Sequence, residues 1–146
     1  MNIIYFHQYF STPKGSGSNR SYYIAKTLVS SGHNVKVVCL KDKRSCTGLK
    51  SSFKYGFRKG IVEGIEIVEI NLSYSNNLNL FKRSIAFLKF SLICSFIAIK
   101  SECDLIYATS TPLTIGIPAI LGKVIRGRKF IFEVRDLWPE LPKALG

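Results

Sequence analysis

Five short apolar runs recur along this chain, at residues 2–6, 34–40, 64–71, 103–110 and 129–134, each bounded by polar or glycine-bearing residues. Between most of them stand segments whose apolar residues return every third or fourth position, the period of a helix with one buried face. Parallel neighbours in a sheet are reached only through a crossover, so strands that alternate with helices point to parallel pairing. The pattern predicts an α/β fold, a doubly wound parallel sheet with helices on both faces. At 146 residues this is about one domain, with enough chain to bury a core.

The first run, Asn2-Ile-Ile-Tyr-Phe6, suits a central strand buried on both faces, and His7 falls at its carboxyl end. Residues 11–18, Ser-Thr-Pro-Lys-Gly-Ser-Gly-Ser, read as a loop in which two glycines widen the choice of backbone shapes. Tyr22, Ile24, Ala25, Leu28 and Val29 then repeat at helical spacing, with Ser16 or Ser18 as the expected cap and Gly32 as the stop. Strand, glycine-rich loop, helix is an order that offers an anion free backbone N–H groups and the positive end of a helix dipole. The signal has low specificity. Arg20 occupies the third glycine position of G-x-G-x-x-G, no G-K-[ST] follows, and an ordinary strand-to-helix turn reads equally well.

The run at 64–71 sets Ile65, Ile67 and, after a step, Ile70 against Glu66 and Glu69, which places it toward an edge of the sheet. Residues 78–99 form a strongly apolar helix whose only charges are Lys82, Arg83 and Lys89. Lys89 near its middle argues against a membrane span. The helix is expected to pack within the fold, with its Phe81 and Lys82 end able to touch lipid. Pro112 precedes the next helix, over Ile115 to Ile125, with Pro118 in its first turn.

In an open parallel sheet, ligands bind beyond the carboxyl ends of the strands. His7, the Gly15-Ser16-Gly17 loop, Thr109, Ser110, Thr111, Arg135 and Asp136 all fall there. Glu133 and Arg135 share one face of the last strand, and mutual neutralisation is the plain alternative to a site. A lone histidine at a strand end is more often a hydrogen-bonded structural residue than a base. No residue is assigned a catalytic role on this pattern, and His33, at the opposite end of the sheet, is given no chemistry. Cys39, Cys46, Cys94 and Cys103 show no C-x-x-C pair and no histidine cluster. They indicate neither a metal site nor a redox motif, and read as packed free thiols of a reducing compartment. The start lacks a basic, apolar and small-residue secretion pattern.

A net charge of +12 asks for an anionic partner. The stretch between the second and third runs reads as a basic loop: between Lys41 and Lys59, seven basic residues face only Asp42, with Phe53, Tyr55 and Phe57 among them, a mix that suits an anionic bilayer, stacked RNA bases or mere solvation.

Four stretches carry a resemblance: Pro13-Lys-Gly-Ser-Gly-Ser-Asn-Arg20, Ser30-Ser-Gly-His-Asn-Val-Lys-Val-Val38, Tyr107-Ala-Thr-Ser-Thr-Pro-Leu113 and Phe132-Glu-Val-Arg-Asp-Leu-Trp-Pro-Glu140. Together they resemble the amino-terminal domain of glycosyltransferase family 4, in particular bacterial enzymes that transfer N-acetylated amino sugars in O-antigen or capsule synthesis. The last stretch is the most specific, and the resemblance covers essentially the whole chain. It implies a GT-B fold, two Rossmann-like domains facing across a cleft, of which residues 1–146 would be the acceptor-side one. Gly15, Ser16 and Gly17 match the loop that approaches the donor diphosphate. Asp136 matches an aspartate of the acceptor wall, beside which His7, Thr109 and Ser110 would stand. Arg135 occupies a place where many relatives have histidine.

The implied partners are a nucleotide sugar, used as substrate with no cofactor or metal, a polyprenyl-linked acceptor, and a donor-binding domain supplied in cis or in trans. Without that domain the chain is expected to be catalytically silent. The same resemblance makes Lys54, Arg58, Lys59, Phe81, Lys82 and Arg83 a candidate surface for an anionic membrane, in a protein located in the cytoplasm and peripheral on the inner face of the cytoplasmic membrane. The rival class is a non-catalytic basic module, binding membrane or RNA, that serves a catalytic partner. Nothing resembles an RNP strand or a helix-turn-helix, which weakens the nucleic-acid version. A nucleotide-linked dehydrogenase is a weaker rival, since the chain lacks the third glycine and has Leu40-Lys41 where such an enzyme carries an acidic residue.

Overall fold

The computed structural model describes residues 1–43, 45–72 and 80–135, the side chain of Leu80 excepted. The order is β1 (Asn2–Phe6), α1 (Arg20–Ser30), β2 (Asn34–Leu40), β3 (Phe57–Val62), β4 (Ile65–Ile70), α2 (Leu80–Lys100), β5 (Leu105–Thr109), a 3-10 turn (Leu113–Ile115), α3 (Gly116–Arg126) and β6 (Lys129–Glu133). The sheet runs β3-β4-β2-β1-β5-β6, with every pairing parallel except β3 to β4. The doubly wound α/β expectation therefore holds, with one strand more than the sequence reading counted.

Both faces of the sheet are buried. Ile4, Phe6, Val38, Leu40 and Ile106 meet Phe90, Cys94 and Ala98 of α2 and Ala119 of α3 on one side. On the other, Ile3, Tyr5, Val35, Val37 and Ile67 meet Tyr22 and Ala25 of α1. The alternation of side chains along each strand distributes the apolar residues between these two cores. Gly122 brings α3 close to β5, since a Cβ there would run into the Ile106 side chain. Cys39, Cys94 and Cys103 are buried and Cys46 is half-buried, all as free thiols.

Three expectations are corrected. The strand at 64–71 does stand toward an edge, with only β3 outside it, but its alternation runs without a step. Ile65 and Ile67 lie in one core, Val68 and Ile70 in the other, and Glu69 is 3% exposed. β3 itself was read as part of a basic loop, because Arg58, Lys59 and Gly60 break any apolar run. It forms through a two-residue turn in which Glu63 (φ 51°) and Gly64 (φ 84°) are both left-handed, the requirement of a type I′ hairpin usually met by Asn-Gly. The Glu63 carboxylate is held by Tyr22 Oη at 2.7 Å and by Lys26. Finally, neither Ser16 nor Ser18 caps α1. Its N-cap is Asn19, with no side-chain cap bond, and Gly32 ends the helix as expected, at φ 82° with its N–H on Val29 O.

Candidate functional site

The chain leaves β1 along α1 to β2 on one side and returns through α2 to β5 on the other. The topological switch point lies between β1 and β5, where side-by-side strand ends leave a crevice. A cleft of about 400 Å³ opens there. His7 enters it from the end of β1, Ser110 and Thr111 from the end of β5, and Arg135 from beyond β6. Ser16, Gly17 and Ser18 come from the loop before α1, and Tyr9, Asp42 and Ser45 complete the lining.

Backbone bonds fix these positions. The His7 N–H donates to Val38 O at 3.2 Å, extending the β1–β2 ladder, and the Ser110 N–H donates to Glu133 O at 2.9 Å. The Arg135 N–H donates to Ser110 Oγ at 2.9 Å, tying the segment after β6 to the end of β5. On the loop side, the Thr12 N–H and Oγ1 both donate to Cys46 O, at 2.8 and 2.6 Å, and the Cys46 N–H donates to Ser11 Oγ at 3.1 Å. With its amide nitrogen turned to the neighbouring carbonyls, Asn19 donates to Thr12 O and Gly17 O at 3.1 and 3.2 Å.

The Arg135 guanidinium spans the mouth. Nη2 donates to Ser18 Oγ at 3.1 Å, and Nη1 stands 3.5 Å from His7 Nε2. A guanidinium has only donors, so Nε2 is the accepting nitrogen and the His7 proton sits on Nδ1. That Nδ1 is buried without a partner among the described residues. Burial first, and the charge of Arg135 second, push the His7 pKa down to about 3. The imidazole is thus neutral across the physiological range, which suits holding an arginine and not serving as a base near pH 7.

Glu133 and Arg135 do not neutralise each other. Glu133 forms an ion pair with Arg20, the first residue of α1, at 2.6 Å, and accepts from Thr109 Oγ1 at 2.8 Å. Thr109 Oγ1 also lies 3.1 Å from Tyr5 Oη. Having spent its single proton on Glu133, the threonine accepts from the tyrosine. Burial raises the Tyr5 pKa.

Of the residues named from sequence, the fold brings His7, Ser16, Gly17, Ser110, Thr111 and Arg135 to one cleft. Thr109 is fully buried behind it, and Gly15 turns its N–H back to Thr12 O at 3.0 Å. Among the described residues, the left-handed glycines lie elsewhere, at Gly32, Gly48, Gly56, Gly64 and Gly127. Asp136 falls outside the described residues. Sequence reasoning missed Ser18, Tyr9, Asp42 and Ser45. The strand-end rule, applied to β2 as it was to the other strands, would have found Asp42 and Ser45. The candidate membrane residues divide. Lys54, Lys59, Phe81 and Lys82 are exposed and Arg83 is half-buried, whereas the charge of Arg58 goes to Glu69 through bonds of 2.9 and 2.5 Å.

No protein-family model matches the chain, and no curated protein matches it significantly. Among solved structures, two crystal structures of the C-terminal domain of the PF1911 hydrogenase from Pyrococcus furiosus share its fold. Each superposes with a TM-score of 0.62 over 90% of this chain and 90% of that one, at 11% and 10% identity. Sucrose-phosphate synthase from Thermosynechococcus elongatus is similar at a TM-score of 0.48 and 13% identity, over 91% of this chain and 32% of that one. That second likeness is too loose to separate one open α/β sheet from another. The likeness to the two hydrogenase-domain structures bears on the fold alone, and an α/β fold hosts many chemistries.

Proposed function

We propose that the chain is the acceptor-side half of a two-domain, GT-B-type glycosyltransferase, whose cleft at the β1–β5 switch point holds a phosphate-bearing part of the substrates. The observation that carries this reading is Arg135. Its backbone is anchored on Ser110, and its fork lies between Ser18 and the neutral His7, where the loop before α1 meets the strand ends. A planar guanidinium with five donors matches phosphate oxygens in pairs.

In this reading Arg135 binds phosphate, Ser110 anchors its backbone, Ser18 and His7 hold the guanidinium in place, and Ser16 and Gly17 line the approach. No residue is assigned a proton transfer. The finer assignment is supported by the resemblance of the Phe132–Glu140 stretch to family 4 enzymes. It is transfer of an N-acetylated amino sugar from a nucleotide diphosphate to a polyprenyl-linked acceptor, in bacterial O-antigen or capsule synthesis on the cytoplasmic side of the membrane. The donor-binding domain stands in cis or in trans.

The test is a transfer assay on membranes containing polyprenyl-linked acceptor, with a panel of labelled nucleotide sugars, run with this chain alone and with a family 4 donor domain added. Label transfer is expected only in the mixture, and Arg135→Ala should lower it about 100-fold, the loss typical of one preorganised donor to developing charge. Silence in both arms, from a chain shown to be folded, would leave a non-catalytic binding module as the better reading.

A further inference from the structure

Helices α2 and α3 cover one face of the sheet, and much of what they turn away from it is apolar. On α2, Phe81, Ile85, Leu88, Leu92 and Phe96 are all exposed, Phe81 and Phe96 by 73% and 64%. Steps of four, three, four and four residues keep them on one line along a helix of 3.6 residues per turn. On α3 the same spacing recurs in Ile117, Ile120 and Val124, the last 75% exposed. Ser91 of α2 donates to Thr114 O, just before α3, at 2.8 Å, and the opposite sides of both helices enter one core. The two stripes therefore belong to a single surface. A contiguous apolar surface of this kind marks a binding face.

The charges around it select the partner. α2 carries Lys82, Arg83, Lys89 and Lys100, α3 carries Lys123 and Arg126, and neither helix contains an aspartate or glutamate. Lys82, Lys89 and Lys100, separated by seven and eleven residues, fall on one flank of the α2 stripe. A second copy docked here would set like charges against each other, which is costly. An anionic bilayer supplies hydrocarbon for the stripes and headgroups for the lysine flank. Among the described residues, no helix is long and apolar enough to cross a membrane.

We propose that the α2–α3 face lies in the plane of an anionic lipid surface, with the stripes at the acyl boundary and the lysine flank at the headgroups. The contact stands on this face and not on the hairpin at Lys54–Lys59, and it does not depend on the sugar-transfer reading.

The experiment is co-sedimentation of the chain with vesicles of phosphatidylglycerol and phosphatidylethanolamine, and with vesicles of phosphatidylcholine alone. The decisive pair of variants is Leu92→Glu with Phe96→Glu against Lys54→Ala with Lys59→Ala. Both lower the net charge by two, so general electrostatics cancels between them. Partitioning to the anionic vesicles is expected to fall at least ~10-fold in the first and to stay near the parent value in the second. Leu92→Gln with Phe96→Gln, which leaves the charge unchanged, is checked by circular dichroism and read for the same fall if the first variant fails to fold. The proposal is overturned if the α2 variants sediment like the parent or if the hairpin variant alone loses binding. It is equally overturned if sedimentation velocity shows a dimer that the α2 variants dissociate, since a second copy would then occupy the face.

Discussion

Arg58 and Arg135 stand toward opposite edges of one sheet, and their side chains meet opposite surroundings. Arg58 lies across from Glu69 in the β3–β4 pairing, and its Nε and Nη2 both donate to a single carboxylate oxygen that also accepts from Thr47 Oγ1 at 2.9 Å. The Phe53 ring covers the guanidinium at 4.6 Å. Donors and acceptor there are matched, and the charge is spent on the fold. Arg135 instead holds two neutral partners, a serine hydroxyl and an imidazole, at the mouth of a cleft. A cation committed to a buried carboxylate is a structural part, while one propped up by neutral groups keeps its field for a ligand.

That contrast is exposed to breakage first at Glu69. Glu69→Ala leaves Arg58 and Thr47 facing a missing acceptor, and should lower stability by about 3–5 kcal/mol in a urea melt. Replacing the pair together, with Arg58→Met and Glu69→Leu, should recover most of the loss. A milder Glu69→Ala would mean that Arg58 finds other partners.

The next effect comes from His7. Its folded pKa of about 3 lies below the unfolded value, so between those values the unfolded chain binds the extra proton. Stability then falls with pH, by about 2 kcal/mol from this group between pH 7 and pH 5. Melts across that interval should show a flatter slope for His7→Asn than for the parent. Equal slopes would contradict the burial described for the imidazole.

The smallest stability effect belongs to Arg135 itself. Arg135→Ala should change unfolding free energy by less than about 1 kcal/mol, while costing far more in transfer. A large stability loss would place Arg135 in the same structural class as Arg58.

The sequence pointed to both arginines without separating them. Five of the strands, the His7 and Ser110 strand ends and Arg135 were legible, because apolar runs and the carboxyl-end rule depend on periodicity alone. The fate of Arg58 was not, because its partner lies in β4 and the turn that joins them hides its signal. Glu63-Gly64 performs a job usually marked by Asn-Gly, so β3 looked like more of a basic loop. Thr109 shows the reverse failure. Its position at a strand end was read correctly, but which way it points depends on Tyr5 and Glu133, from two other strands. The candidate membrane residues show a third, since periodicity in α2 reveals an apolar helix but not which of its sides the sheet takes.

The loop before α1 is pinned at both ends, by Thr12 on Cys46 and by Arg20 on Glu133, with Asn19 bridging inside it. Chain closure and side-chain ordering oppose binding when a ligand must assemble its own loop. Here much of that entropy loss belongs to folding. A ligand reaching Ser16 and Gly17 meets backbone already confined, so its affinity is set by the contacts it makes and little by the freedom the loop gives up.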